Sequence, residues 1–207
     1  MNKIDHFVYF HPKLEEGIQY INKLTGIEAT AGGQHLGRGT WNAIFSLGES
    51  CYFEIISPDP RQIPFHNARW MGIDYIEVPQ LIRWAVSVNN LKALLLKAQT
   101  MGMAVGEVQE GSRKLQNGEA LKWQLTAPSM VAAVEPLPFL IEWATEVHPS
   151  QGKKVAATLD KLTLSHPNPS SLHQQLAWLE LNVEIVEAEK PAISVELNTP
   201  LGNVRIE

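Results

Sequence analysis

Apolar and polar positions alternate along this chain in short blocks, and the blocks recur in one order. The first, Ile4-Asp5-His6-Phe7-Val8-Tyr9-Phe10, is rich in β-branched and aromatic residues and predicts a strand. His11-Pro12 ends it, because proline cannot continue a ladder. Leu14, Ile18, Ile21 and Leu24 then recur at helical spacing, with Glu15 and Glu16 well placed in the first turn. Gly26 is positioned to close that helix in a left-handed cap. Strands are expected at residues 27–30, 40–46 and 51–57. A glycine-rich loop carrying His35 precedes the second of these, and Leu47-Gly48-Glu49-Ser50 turns between the last two.

Pro58, Pro60, Pro64 and Pro79, with Asn67 and Gly72, then break the pattern, so residues 61–79 read as a connection. The order returns with a strand at 81–88. Asn89 is the expected N-cap of a helix carrying Leu91, Leu94, Leu95 and Ala98 and closed by Gly102. Strands follow at 103–108, 121–125 and 139–143, with a hairpin signal at Asn117-Gly118. After a spacer at 148–154 the order comes a third time. A strand at 159–165 leads to a helix opened by Pro167-Asn168-Pro169-Ser170 and closed by Asn182, then to strands at 183–186, 192–197 and 203–206.

The chain therefore reads as three degenerate copies of one strand-helix-three-strand unit, at 1–60, 80–147 and 155–207. The fold class is α+β. Repeated βαβββ units form a curved mixed or antiparallel sheet around a pocket, and the third unit packs with the other two.

Composition narrows the function classes. Apolar residues at 44% and charged residues at 19% describe a folded soluble chain rather than a disordered one. A net charge of -5 with no basic stripe argues against a nucleic-acid partner. No apolar run approaches the roughly 20 residues that span a bilayer, so no membrane partner is expected. The single cysteine, Cys51, reads as a small core residue, and with no signal peptide the chain is expected in the reducing cytoplasm.

Glu54 and Glu142 are embedded in apolar strands, where an ionised carboxylate needs a cation or several donors as partners. Period-two alternation puts Ile4, His6 and Val8 on one face of the first strand and Asp5, Phe7 and Tyr9 on the other. Tyr52, Glu54 and Ile56 share a face. In the second unit Trp84 takes the place of His6 and Glu142 that of Glu54; in the third, Lys161 stands where His6 does. Structural roles compete with functional ones at each position. His6 could be a satisfied core histidine, and either glutamate could pair with Arg38, Arg83 or Arg113. His35 lies where glycine lets backbone approach a ligand, or is a solvated loop residue. Arg113 could bind an anionic group in a bidentate way. Trp41, Trp84, Trp123 and Trp143 form a set of strand aromatics that suits a planar ligand. His11, His66, His148, His166 and His173 receive no role.

Several of these features together carry a resemblance: the repeat, the Asp5-His6 start, the Gly-Gly-x-His-x-x-x-Gly-Thr-x-Asn run from Gly32 to Asn42, the embedded Glu54 and Glu142, and Trp123-Gln124-Leu125. The chain resembles the glyoxalase-like domain of the vicinal oxygen chelate superfamily over most of its length. That resemblance implies a cup-shaped sheet holding a divalent metal, with zinc, manganese, iron and nickel undistinguished. Carried over, the ligands are His6, Glu54 and Glu142, and Trp84 occupies the fourth place, where an indole N–H can only donate. The implied activity is that of a metal-assisted lyase, isomerase or dioxygenase, with Glu54 and His35 as catalytic residues. Asn42, Arg113, Trp41, Trp84, Trp123 and Trp143 would contact the small-molecule ligand. The alternative is a metal-free small-molecule binding or sequestering protein of the same fold, with a structural or dimerisation module behind both. A homodimer is left open.

Overall fold

The first unit runs β1 (Lys3–Phe10), α1 (Leu14–Thr25), β2 (Thr30–His35), β3 (Thr40–Gly48) and β4 (Cys51–Pro58). A short 3-10 segment, Trp70–Tyr75, lies in the connection. The second unit runs β5 (Gln80–Ser87), α2 (Leu91–Thr100), β6 (Val108–Lys114), β7 (Ala120–Thr126) and β8 (Phe139–Trp143). The third runs β9 (Thr158–His166), α3 (Pro169–Leu176), β10 (Glu184–Glu187), β11 (Ala192–Thr199) and β12 (Gly202–Ile206). This computed structural model describes residues 2–35, 37–62, 65–103, 105–114, 120–144 and 148–207. The Asn117-Gly118 turn lies outside the described residues.

Local chemistry places most element ends. Gly26 closes α1 at φ 73, its N–H bonded to the carbonyl of Asn22. Asn168 caps α3 by accepting from Ser171 N, and Pro169 occupies the first turn, where its missing N–H costs nothing. Other ends differ from the sequence reading. The cap of α2 is Asn90 rather than Asn89, its side chain accepting from Ala93 N. The stop after α3 is Glu180, left-handed at φ 55, rather than Asn182. β2 begins at Thr30, so the expected loop through Gly32 and Gly33 is a paired strand with a bulge between Ala31 and Gly33. β6 likewise starts at Val108, where the expected strand was to end.

Eight strands form one mixed sheet in the order β2-β3-β4-β1-β5-β8-β7-β6. Each of the first two units pairs its first strand in parallel with its last, and an antiparallel β1–β5 seam joins them. The third unit keeps the same element order but pairs differently: β9 lies between β10 and β11 in a separate four-stranded sheet.

One face of the large sheet carries the helices and the third unit. Phe7, Phe53, Trp84 and Val86 share a core there with Leu91 of α2 and with Leu164 and Val195 of the small sheet. Each fully buried side chain of this kind contributes roughly 1.5–3 kcal/mol. The other face is concave. Val8, Ile56, Ile82, Ala85, Leu125 and Ile141 meet there, capped by Met71 and Ile73 of the 3-10 segment. The sheet curls until its two edges communicate: Arg38, just beyond β2, donates from Nη2 to Gln109 Oε1 on β6 at 2.6 Å. Among the described residues no helix is long and apolar enough to cross a membrane.

Candidate active site

The site begins with an irregularity in β1. Between Ile4 and His6 the β1–β5 ladder slips by one residue, and the extra residue is Asp5. Strict alternation would send Asp5 and His6 to opposite faces. The bulge re-aims them, and Asp5 Oδ1 lies 2.6 Å from His6 Nδ1. Asp5 Oδ2 also accepts from Trp143 Nε1 at 2.8 Å and from His148 Nε2 at 3.2 Å. Burial raises the Asp5 carboxyl, but the hydrogen bonds from His148 and His6, with their charges, outweigh it and hold the group at about 2. An ionised carboxylate only accepts, so His6 carries a hydrogen on Nδ1 and presents Nε2 to the concave face. The His6 ring stacks on Tyr52 at 4.5 Å and meets Phe139 edge-on at 5.3 Å.

Glu54 stands beside it on β4 and is only 4% exposed. His6 Nε2 lies 3.7 Å from Glu54 Oε2, and His35 Nε2 lies 3.6 Å from Glu54 Oε1. The β3–β4 register pairs Ile44 with Glu54 and Asn42 with Ile56, which puts Asn42 diagonally across from the carboxylate. Asn42 Nδ2 donates to Glu54 Oε1 at 2.6 Å and sits 3.3 Å from His35 Nε2. Thr40, the cross-strand partner of His35, fixes the other ring nitrogen, with Oγ1 2.8 Å from Nδ1. Gly32 is a space requirement here, since a Cβ on it would overlap Asn42 Oδ1. Asp59 anchors this edge from below, accepting from Gln34 Nε2 at 2.6 Å and Gln62 Nε2 at 3.0 Å.

Five rings wall the pocket above these polar groups: Tyr52, Trp70, Trp123, Phe139 and Trp143. The space between them, counted out through the open mouth, is about 470 Å³.

A family model described as a glyoxalase-like domain matches residues 4–180. The chain belongs to that family. The glyoxalase-like domain lies within the vicinal oxygen chelate superfamily, whose curved sheet of repeated units this structure has. No curated protein matches the sequence. Among solved structures, a hypothetical protein from Staphylococcus aureus is 15% identical, covers 99% of this chain and 84% of its own, and has a TM-score of 0.66, so the two share a fold. A methylmalonyl-CoA epimerase of Streptomyces coelicolor, solved with 2-nitronate-propionyl-CoA, is 15% identical over 71% of this chain and 98% of its own at a TM-score of 0.47. The epimerase of Mycobacterium tuberculosis is 14% identical over 68% of this chain and 85% of its own, with a TM-score of 0.41.

Of the residues selected from the sequence, His6, His35, Asn42, Glu54, Trp123 and Trp143 line this glyoxalase-like pocket together. Three others stand elsewhere. Glu142 is on the opposite face of β8, because Ile141 and Trp143 on either side of it face the pocket; its Oε2 accepts from Leu91 N at the start of α2. Trp84 pairs with Phe7 in the helix-side core and donates from Nε1 to Pro136 O at 2.7 Å. The residue opposite His6 across the seam is Ala85. Trp41 lies on the outer side of β3 under the guanidinium of Arg61, 4.6 Å from its ring. Arg113 belongs to β6 by its backbone, and its side chain lies outside the described residues. Arg83, one candidate partner for the glutamates, does other work. Arg83 is buried and donates to the carbonyls of Met71, Ser129, Val131 and Ala133, fastening two connections to β5. Burial pushes the Cys51 thiol up to about 12, which disfavours the reactive thiolate and agrees with a core residue.

The metal trio carried over from the family is therefore not assembled. With Glu142 turned away, His6 and Glu54 remain, and the nearest further imidazole is His35. Between His35 and Glu54 sits the amide nitrogen of Asn42, a donor where a cation would require an acceptor. Among the described residues no group of three or more His, Cys, Asp or Glu side chains is arranged to hold a metal ion. The donor set of the described residues does not fit the chelating site, and no step below is routed through one.

Several pocket residues escaped the sequence reading. Trp70 sits in the proline-rich connection, where no periodicity marks it. His148, which no sequence signal singles out, fixes Asp5 and neighbours Pro149 on the pocket wall. The Asp5-His6 dipeptide was visible, but its meaning depends on the bulge.

Proposed function

We propose that this glyoxalase-like protein, whose fold and family support a small-molecule enzyme or binding protein, is an enzyme of isomerase or lyase type that moves a proton on a carbon beside a carbonyl group. The observation that carries this reading is Glu54: a nearly buried carboxylate under five aromatic rings, held by Asn42 and flanked by two imidazole nitrogens. Glu54 takes the proton, and the electron pair of the C–H bond passes to the carbonyl oxygen as an enolate. His6 Nε2, its ring fixed through Nδ1 by Asp5, supplies a hydrogen bond to that oxygen when it carries a proton. Glu54 or His35 returns the proton to carbon. The aromatic walls exclude water from the intermediate.

The test is solvent deuterium incorporation, followed by proton NMR, into a panel of 2-oxo acids, hydroxyketones and acyl thioesters. The expected result is exchange into at least one compound, slowed about a hundredfold or more in Glu54→Gln, the usual scale for a general base. No exchange with any compound, or equal exchange by the variant, overturns the reading. The five-ring wall favours the alternative in that case, a binding protein that encloses a small aromatic ligand without turnover.

A further inference from the structure

Beside the pocket lies a second chamber, bordered by Gln34, Arg38, Glu110, Ser112 and Trp123. His35, Trp70, Trp123 and Leu125 line both spaces, so the two are neighbours, and a ligand reaching from Glu54 to Arg38 would run along these four residues. We propose that the outer chamber is an anion subsite, in which Arg38 binds a carboxylate or phosphate group of the substrate.

The six arginines of the chain make the case by contrast. Arg61 pairs with Asp59, Arg69 with Asp74 and Arg205 with Glu207. Arg83 is buried against backbone carbonyls, and the side chain of Arg113 lies outside the described residues. Arg38 makes no ion pair among the described residues, yet it is held in place. Its Nη2 donates to Gln109 Oε1 at 2.6 Å, and its guanidinium lies over the Trp70 ring, 5.5 Å from the centroid. Both contacts orient the charge and neither neutralises it. Glu110 borders the same chamber, but its carboxylate accepts from Gln124 Nε2 at 3.4 Å and does not reach Arg38.

A guanidinium already immobilised loses little side-chain freedom on binding, and its planar fork matches carboxylate and phosphate oxygens. Trp70 and Trp123 line both chambers, which calls for an apolar or aromatic middle. The substrate class is thus an enolisable carbonyl compound with an apolar spacer and an anionic far end. The carbonyl end rests on the proton-transfer reading above; the anionic end does not.

Tryptophan fluorescence of the full chain reports the test directly. Phenylacetate, phenyl phosphate and the neutral phenylacetamide are titrated into the wild type, Arg38→Gln and Glu54→Gln, with circular dichroism confirming that each variant is folded. At least one anion is expected to bind the wild type about tenfold or more tightly than the amide. Arg38→Gln should erase that preference while leaving amide affinity unchanged, and Glu54→Gln should retain it. The tighter anion identifies the source as carboxylate or phosphate. Equal binding of amide and anions, no saturable binding of any probe, or equal weakening of all probes by Arg38→Gln overturns the subsite. Intact anion preference without deuterium exchange into any carbonyl compound overturns the proton-transfer reading alone.

Discussion

Asn42 Nδ2 lies 2.6 Å from Glu54 Oε1, and this single donor holds the pocket carboxylate where both imidazoles can face it. The contact depends on the diagonal β3–β4 register and on the missing side chain at Gly32.

Asn42→Leu keeps the volume and removes the donor. A hydrogen bond to a charged group contributes about 1.5–3 kcal/mol, so the variant should lose stability on that scale. Gly32→Ala should act through the same residue, because the new methyl group displaces the Asn42 amide. Urea denaturation of both, with exchange rates on the folded protein, checks this. Two variants as stable and as active as the wild type would show that Asn42 does not hold Glu54.

Asp5 should give the protein an acid limb in its stability profile. Its carboxyl is held at about 2 against an ordinary value of 3.8, so the folded form binds the proton less readily than the unfolded chain. The stabilisation is present in full above the unfolded value and is lost as the pH falls from about 4 towards about 2. It amounts to about 2 kcal/mol at neutral pH. Asp5→Asn should be less stable at pH 6 and should have a flatter profile across that window. Parallel profiles for the two proteins would remove Asp5 from the account.

Trp84 and Trp123 should separate core from pocket. Trp84 is fully buried on the helix side, whereas Trp123 lines the ligand space. Trp84→Ala should cost about 3–5 kcal/mol and leave ligand affinity of the folded protein unchanged. Trp123→Ala should weaken ligand binding several-fold at a smaller cost in stability. Fluorescence titration beside thermal melting reads both, and a Trp84 variant that folds well but loses affinity would contradict the assignment of faces.

The elements themselves were legible because their signals are local. Gly26 closes α1 since glycine reaches a left-handed conformation without a Cβ clash, and Asn168-Pro169 opens α3 because the Asn168 side chain accepts from Ser171 N three residues on and Pro169 has no N–H to leave unpaired. The curved α+β sheet followed from the repeated element order, and Glu54 stood out because a carboxylate in an apolar strand requires partners. Where β2 and β6 begin was not legible, because a glycine-rich stretch has no side-chain alternation to read and is made a strand by its neighbour.

Which face a residue occupies was decided by register, a relation between strands that alternation within one strand does not contain. One extra residue in β1 brought Asp5 to His6, while the run of β5 put Trp84 against Phe7 and Ala85 opposite His6. On β8 the same rule turned Glu142 to the cap of α2 and dissolved the expected ligand trio. The site's other members come from segments with no periodicity at all: Trp70 lines the pocket from the connection, and His148 holds Asp5 from the spacer. They reach the site only because the sheet curls far enough for Arg38 and Gln109, 71 residues apart, to share a hydrogen bond. Curvature of that kind is set by the summed packing of eight strands and the layer behind them, and no short stretch of sequence encodes it.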